Sequence, residues 1–284
     1  IVRDGVYAEN VKVNKQLTIR SENGSVDCIV HAANPNDHVF YVTADNVYIS
    51  GFTVTGATLY KAGVYLYNSN YCRIENVIAS NNTYGIFLES SRNNIIANNT
   101  ASNNYDGIRL WDSNNNIIEN NNASSNNDYG ICLYSSNNST IVNNNASSNN
   151  DYGIRLDYSN NNIIENNNAS SNNDYGIRLW DSNNNIIENN TASNNGEGIC
   201  LYYSNSNIIY LNNFIDNTYQ VSSYSSTNIW NSTQKITYTY NGSRYTNYLG
   251  NYWSDYTGSD ADKDGIGDTP YIIGGDKDYY PLME

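Results

Sequence analysis

The sequence predicts an all-β protein, a single-stranded parallel β-helix (a solenoid) wound in 22–23-residue coils and lined by asparagine ladders. Gly-aliphatic-x-Leu tetrads begin at Gly63, Gly85, Gly107, Gly130, Gly153, Gly176 and Gly198, in steps of 22 or 23 residues. A period of that size marks stacked supersecondary units. The apolar runs last two to four residues and alternate in twos, as short strands do, whereas helical repeats need runs of roughly 10–12 residues at a 3.6 spacing. Leucine-rich repeats share the period but carry several Leu per unit, which these units lack. Strands wound once per repeat stack coil on coil at about 4.8 Å.

The elements follow in chain order. A loose first copy covers Phe40-Tyr41-Val42 with Val47-Tyr48-Ile49, and a fading one covers Ser204, Asn207, Ile209 and Asn212. In each tetrad the aliphatic residue and the Leu point inward, and the residue between them points out. A second inward column is Ile74, Ile96, Ile118, Ile141, Ile164, Ile187 and Ile209; a third is Ala101, Ala123, Ala146, Ala169 and Ala192. Two columns are Asn: Asn76, Asn99, Asn121, Asn144, Asn167, Asn190 and Asn212, and, three residues before each Gly, Asn82, Asn104, Asn127, Asn150, Asn173 and Asn195. Asn tolerates left-handed corners, and its amide bonds to amides above and below it when stacked at strand spacing. Residues 1–220 therefore read as coils, and residues 221–284 as final coils and a Tyr-rich cap. The start, "IVRDGVYAENV", reads like the middle of a strand, which suggests an upstream segment. An open first coil would invite strand addition and head-to-tail self-assembly.

Composition narrows the partners. The 284 residues carry a net charge of −14 and 28 Tyr. That acidity disfavours nucleic acid, and the aromatic content disfavours disorder. No apolar run reaches the roughly 18 residues of a membrane span. Cys28, Cys72, Cys132 and Cys200 form no CxxC pair; Cys132 and Cys200 share an outward column, where they are expected to be exposed, and Cys72 falls inward.

The coils, written "GI.L..S..N.I..N", resemble the carbohydrate-binding and sugar-hydrolase-type right-handed β-helix superfamily. "DGVYAENVKVNKQLTIRSENG" at Asp4–Gly24 resembles the first coils of the NosD-like family. "LGNYWSDYTGSDADKDGIGDTPYII" at Leu249–Ile273, with "DYYPLM" at Asp278–Met283, resembles that family's C-terminal segment. The resemblance implies a right-handed β-helix of the kind common among archaeal surface proteins. Its NosD side implies copper handling and a membrane-transporter partner. The residues argue against copper, which favours thiolate, thioether and imidazole donors: the chain has 1 Met, scattered Cys, and only His31 and His38.

Three candidate sites remain. Asp260, Asp262, Asp264, the Ile266 carbonyl and Asp268 have the spacing of a calcium loop around Gly265; the twelfth position is Tyr271 and not a bidentate Glu, and Pro270 forbids an exiting helix. Calcium there would lock the cap. Outward residues Arg109, Trp111, Asp112, Arg155, Asp157, Arg178, Trp180 and Asp181, with Tyr134, Tyr158, Tyr202 and Tyr203, suit a polysaccharide, since Arg pairs with uronic carboxylates and aromatics stack on sugars. Acids also stack along the coils, as Asp128, Asp151 and Asp174 and as Glu165 and Glu188. Near-identical coils suit a repeating surface better than one catalytic centre, so no catalytic residue is assigned; a lyase or hydrolase is the enzymatic alternative. Sequons lie at Asn23, Asn81, Asn98, Asn122, Asn137, Asn138, Asn145, Asn168, Asn189, Asn231 and Asn241. Asn122, Asn145 and Asn168 follow a ladder Asn and are expected to face out, with crowding that forces partial occupancy. The reading is an extracellular or cell-surface protein with a structural or adhesive role, whose partners are further copies, cell-surface components or a polysaccharide.

Overall fold

The computed structural model describes residues 1–283 and contains strands, turns and bends but no helix among them. Ten parallel strands form the longest sheet, which makes ten coils. A nine-stranded parallel sheet forms the second face. The third face is a five-stranded and a three-stranded sheet joined by single bridges through Asn122, Asn145 and Asn168. There Thr100 and Thr191 start three-residue strands, while the three coils between them carry Asn in the same register and shrink to one bridge each. Thr favours the pleated backbone and Asn does not.

The predicted inward columns are the core. Ile108, Leu110, Ile118 and Ala123 of one coil, and their equivalents in the neighbouring coils, are fully buried in one continuous cluster. The glycine that opens each tetrad is there because of close approach. A Cβ on Gly130 would lie 2.7 Å from the Gly153 and Ala123 carbonyl oxygens and 2.8 Å from Asn149 Nδ2.

Corners follow one rule. In the coil after Leu110, Asp112, Asn115, Asn120 and Ser125 have φ between 49° and 60°. The next residue in each case, Ser113, Asn116, Asn121 and Asn126, turns inward and is buried. Each left-handed residue thus bends the chain and aims its successor into the coil. Four polar ladders result. In the third, Asn121 Nδ2 donates to Asn144 Oδ1 (3.0 Å) and to the Ile96 carbonyl (2.8 Å), and Asn144 Oδ1 also accepts the Asn121 N–H (2.9 Å).

This rule corrects the predicted Asn columns. Asn76 is itself a left-handed, exposed corner, and the residue in ladder register is Val77, whose N–H donates to Asn99 Oδ1. Asn127, Asn150 and Asn173 are also exposed, and the ladder runs through Asn104, Asn126, Asn149, Asn172 and Asn195. The 23-residue coils place their extra residue between this ladder and the glycine, which shifts the count back from Gly by one. The Ser113 and Asn116 ladders were not foreseen.

Solenoid pairing continues past Val221, through strand Tyr219–Tyr224 and on to Tyr252–Trp253. Trp253 closes the stack: its ring lies on Phe214 at 4.6 Å and on Tyr271 at 4.4 Å. Two antiparallel hairpins, with strands Ile236–Tyr240 and Ser243–Asn247, and Tyr271–Ile273 and Asp276–Asp278, complete the C-terminal region.

Candidate functional site

The outer surface of the ten-stranded sheet carries three parallel rows, one residue of each per coil. The middle row aligns Phe87, Arg109, Cys132, Arg155, Arg178 and Cys200. On one side run Tyr84, Asp106, Tyr129, Tyr152, Tyr175 and Glu197; on the other run Glu89, Trp111, Tyr134, Asp157, Trp180 and Tyr202. The long outer rows lean over the middle one. Cys132 and Cys200 are therefore buried, contrary to the expected exposure, and burial pushes the Cys132 thiol up to about 12.

Of the predicted polysaccharide residues, Arg155, Asp157 and Arg178 are brought together. Arg155 Nε donates to Asp157 Oδ2 at 3.0 Å, and Arg178 Nη1 donates to Asp157 Oδ1 at 3.0 Å. Arg109 pairs with fully buried Asp106 at 2.8 Å, a partner the sequence reading missed. Burial raises the Asp106 pKa against the pull of Arg109. Each guanidinium also sits over a ring: Arg109 over Tyr84 (5.2 Å), Arg155 over Tyr129 (4.7 Å) and Arg178 over Trp180 (5.0 Å). The cations are thus engaged inside the protein. Asp106 Oδ1, Arg109 Nε and Glu197 Oε2 remain buried without a partner among the described residues.

The aromatic rows are also engaged with themselves. Trp180 stacks on Tyr202, and Tyr202 on Tyr224 at 4.6 Å and 14°, so these rings turn edges to solvent instead of faces. Trp111 packs on Tyr134 at 4.7 Å in a tilted contact of 33°. Asp112 and Asp181 do not join the charged cluster; both are exposed left-handed corners, as are Tyr158 and Tyr203. Unstacked rings occur elsewhere. Leu59, Tyr60, Thr83 and Tyr105 line an open groove of about 320 Å³, and among the described residues neither Tyr60 nor Tyr105 packs on another ring. Leu59 and Tyr60 have φ of 50° and 67°, a conformation bulky residues seldom hold.

Among the acidic stacks, Asp151 is raised to about 6 by burial and by its hydrogen bond and proximity to Asp128. Glu165 and Glu188 are directly paired, and Glu188 accepts a bond from the Tyr210 hydroxyl.

In the acidic loop, Asp260, Asp262 and Asp264 each offer an oxygen within 4.8 Å of the others. Asp260 also accepts the Asp264 and Gly265 N–H groups (3.1 and 2.9 Å), which curls the loop. Asp268 lies outside this trio, with its carboxylate accepting from Ala261 N and Ser259 Oγ. Ile266 is buried and bridges to Leu282. The hairpin holds the loop: Tyr238 and Tyr245 hydroxyls donate to the Asp264 and Lys263 carbonyls (2.9 and 3.0 Å).

The sequons divide by position. Asn122 and Asn145 are half-buried and Asn168 is exposed, and they form an outer amide ladder with Nδ2-to-Oδ1 distances of 3.0 Å. Asn98 and Asn189 are exposed left-handed corners, and so is Asn241 at a hairpin tip. Asn23 bonds to Asp4, and half-buried Asn231 to the Ser232 carbonyl.

Comparison with known proteins adds three findings. A family model described as "Periplasmic copper-binding protein (NosD)" matches residues 1–149 and 107–258. A curated cell surface glycoprotein of Methanothermus fervidus is 40% identical over 81 residues, which is 28% of this chain and 13% of that protein; the chain therefore spans a small part of that relative. Similar solved structures include the A-module of the Azotobacter vinelandii mannuronan C-5 epimerase AlgE6 (TM-score 0.54, 16% identity, covering 80% of this chain and 88% of that one). Another is ORF18 of Geobacillus virus E2 (TM-score 0.65, 12% identity, 85% and 59%). A third is the Dettilon tailspike protein (TM-score 0.60, 17% identity, 77% and 54%). At these identities the structures speak for the β-helix fold alone.

Proposed function

Starting from a chain that belongs to the NosD family of β-helix proteins, we propose that it is a rigid structural element of the cell surface. The observation that carries this reading is the axial bonding of the outward residues. Arg155, Asp157 and Arg178 link successive coils, Trp180, Tyr202 and Tyr224 stack, and the buried ladders run beneath them. Groups spent on each other along the axis stiffen a rod and leave little for a ligand. The surface location draws support from the likeness to a cell surface glycoprotein. Surface biotinylation of intact producing cells tests it. Labelled protein before lysis is the expected result; label that enters only after lysis would refute the reading.

A second reading, glycan binding, is favoured by the groove at Tyr60 and Tyr105, whose ring faces are free to stack on a sugar. Titration with neutral and uronate polysaccharides, followed by tryptophan and tyrosine fluorescence, distinguishes it from the purely structural one. No catalytic centre is assigned.

The family description names copper, but the donors do not suit it. The four cysteines are buried and unpaired, and Cys132 and Cys200 lie three strands apart. His38 stacks on Tyr65, and its Nδ1 accepts the Ala62 N–H. Met283 is the one methionine. For the cap, we propose that Asp260, Asp262 and Asp264 hold calcium, a hard cation suited to carboxylate oxygens.

A further inference from the structure

We propose that the solenoid's N-linked glycans sit on four corner asparagines, Asn81, Asn98, Asn138 and Asn189, and not on the Asn122, Asn145 and Asn168 row. The inference rests on the cell-surface reading above. Each of the four is exposed, with φ between 54° and 56°. In each, the middle sequon residue is the buried ladder member: Asn82, Asn99, Ser139 and Asn190. The third is Thr83, Thr100, Thr140 or Thr191, partly exposed at or just before the start of a strand. Acceptor amide and hydroxyl thus both face away from the core, while the residue between them anchors the corner. Asn81 and Asn138 side chains make no hydrogen bond among the described residues, and those of Asn98 and Asn189 make only long ones, 3.3 and 3.5 Å to Glu75 and Glu188.

Spacing separates the two sets. Asn122, Asn145 and Asn168 occupy adjacent coils in one register, about 4.8 Å apart. A sugar ring is wider than that, and a substituent on Asn145 or Asn168 would also crowd an Nδ2 already engaged in the outer ladder. The corner sequons never recur in adjacent coils at one corner. From Asn98 the same corner passes Asn120, Asn143 and Asn166 before the next sequon at Asn189, four steps or about 19 Å along the axis. Asn81 and Asn138 use two other corners.

The transfer requires a lipid-phosphate- or lipid-pyrophosphate-linked oligosaccharide as donor. The Asn Nδ2 forms a bond to the anomeric carbon, the bond from that carbon to the phosphate oxygen breaks, and the lipid phosphate departs with the electron pair. One amide proton passes to a base of the transferase, and nothing is oxidised or reduced.

Glycopeptide mass spectrometry of protein isolated from producing cells tests the assignment. Hexose-bearing peptides at Asn81, Asn98, Asn138 and Asn189, with unmodified Asn122, Asn145 and Asn168, are expected. Bare corner peptides, or sugar on the 122–145–168 row, overturn it. Asn98→Asp and Asn189→Asp keep a residue that tolerates left-handed backbone and should each remove one glycan's mass; no change in mass also overturns it. Biotinylation of the same intact cells reports location separately. Labelled but unmodified protein refutes the glycan assignment alone, and unlabelled, unmodified protein refutes both.

Discussion

At the residue scale, the ladder asparagine is valuable because all its polar atoms are used. Asn144 Oδ1 accepts the Asn121 N–H and Nδ2, and its own Nδ2 donates to Asn167 Oδ1 and the Ile118 carbonyl. Asn144→Ala strips partners from both neighbouring coils at a buried position. Each orphaned group costs about 1–3 kcal/mol, so the variant should lose about 3 kcal/mol or more, read as a lower denaturant midpoint. Exposed Asn127 has no side-chain bond among the described residues, and Asn127→Ala should stay within about 0.5 kcal/mol. Equal losses at the two positions would contradict the ladder assignment. Gly130→Ala presses a methyl group against two carbonyl oxygens and should cost about 1–3 kcal/mol, as overpacking does; unchanged thermal unfolding would show that the coils can move apart there.

At the element scale, the corner is the unit that was hardest to read. The tetrads and the Ile column were legible because their residues differ chemically from their neighbours and repeat in register. Within Asn120-Asn121-Asn122 identical letters bend, bond inward and turn outward, and within Asn126-Asn127 one is buried and the next exposed, so only their place after a left-handed corner distinguishes them. The burial of Cys132 and Cys200 was hidden for another reason: it depends on long side chains of flanking rows leaning across, which strand alternation does not report. The Asp260–Asp264 trio was legible from spacing, but the turn of Asp268 towards Ala261 was not. Because Tyr238 and Tyr245 grip that loop, calcium should order loop and hairpin together. Millimolar calcium should raise the unfolding temperature by several degrees, and magnesium should not. Asp262→Asn, at an exposed ligand position, should abolish the effect without altering the metal-free protein. A calcium response that survives this variant would place the ion elsewhere.

At the scale of the whole molecule, the net charge of −14 and the buried carboxyls determine the response to pH. The third ladder ends on Asp278, a fully buried carboxylate that accepts from Asn251 N, Trp253 Nε1 and Tyr280 N. Burial outweighs those bonds and raises it to about 6 from the ordinary 3.8. Asp151 is raised to about 6 as well, and burial also raises Asp106. A carboxyl whose pKa is higher folded than unfolded binds its proton more tightly when folded. Its stabilising contribution is therefore absent above the folded pKa and grows as pH falls from about 6 towards 4. For Asp278 the rise from 3.8 to about 6 corresponds to about 3 kcal/mol; Asp151 is more open to solvent and contributes less. His38 opposes this. Burial lowers it to about 4, so stability that it supplies above pH 6.5 is lost as pH falls through the same window. Glu75, lowered by its bond to Arg73, adds a loss at still lower pH. Relief of the negative self-repulsion works with the raised aspartates. The unfolding temperature should therefore hold or rise between pH 7.5 and pH 5, and His38→Gln should make the rise steeper by removing the opposing titration. A fall of more than about 5 °C over that interval, equivalent to roughly 1–2 kcal/mol, in both wild type and His38→Gln would mean that the buried aspartates keep their charge and that the ladder's terminal hydrogen bonds, not burial, dominate at Asp278.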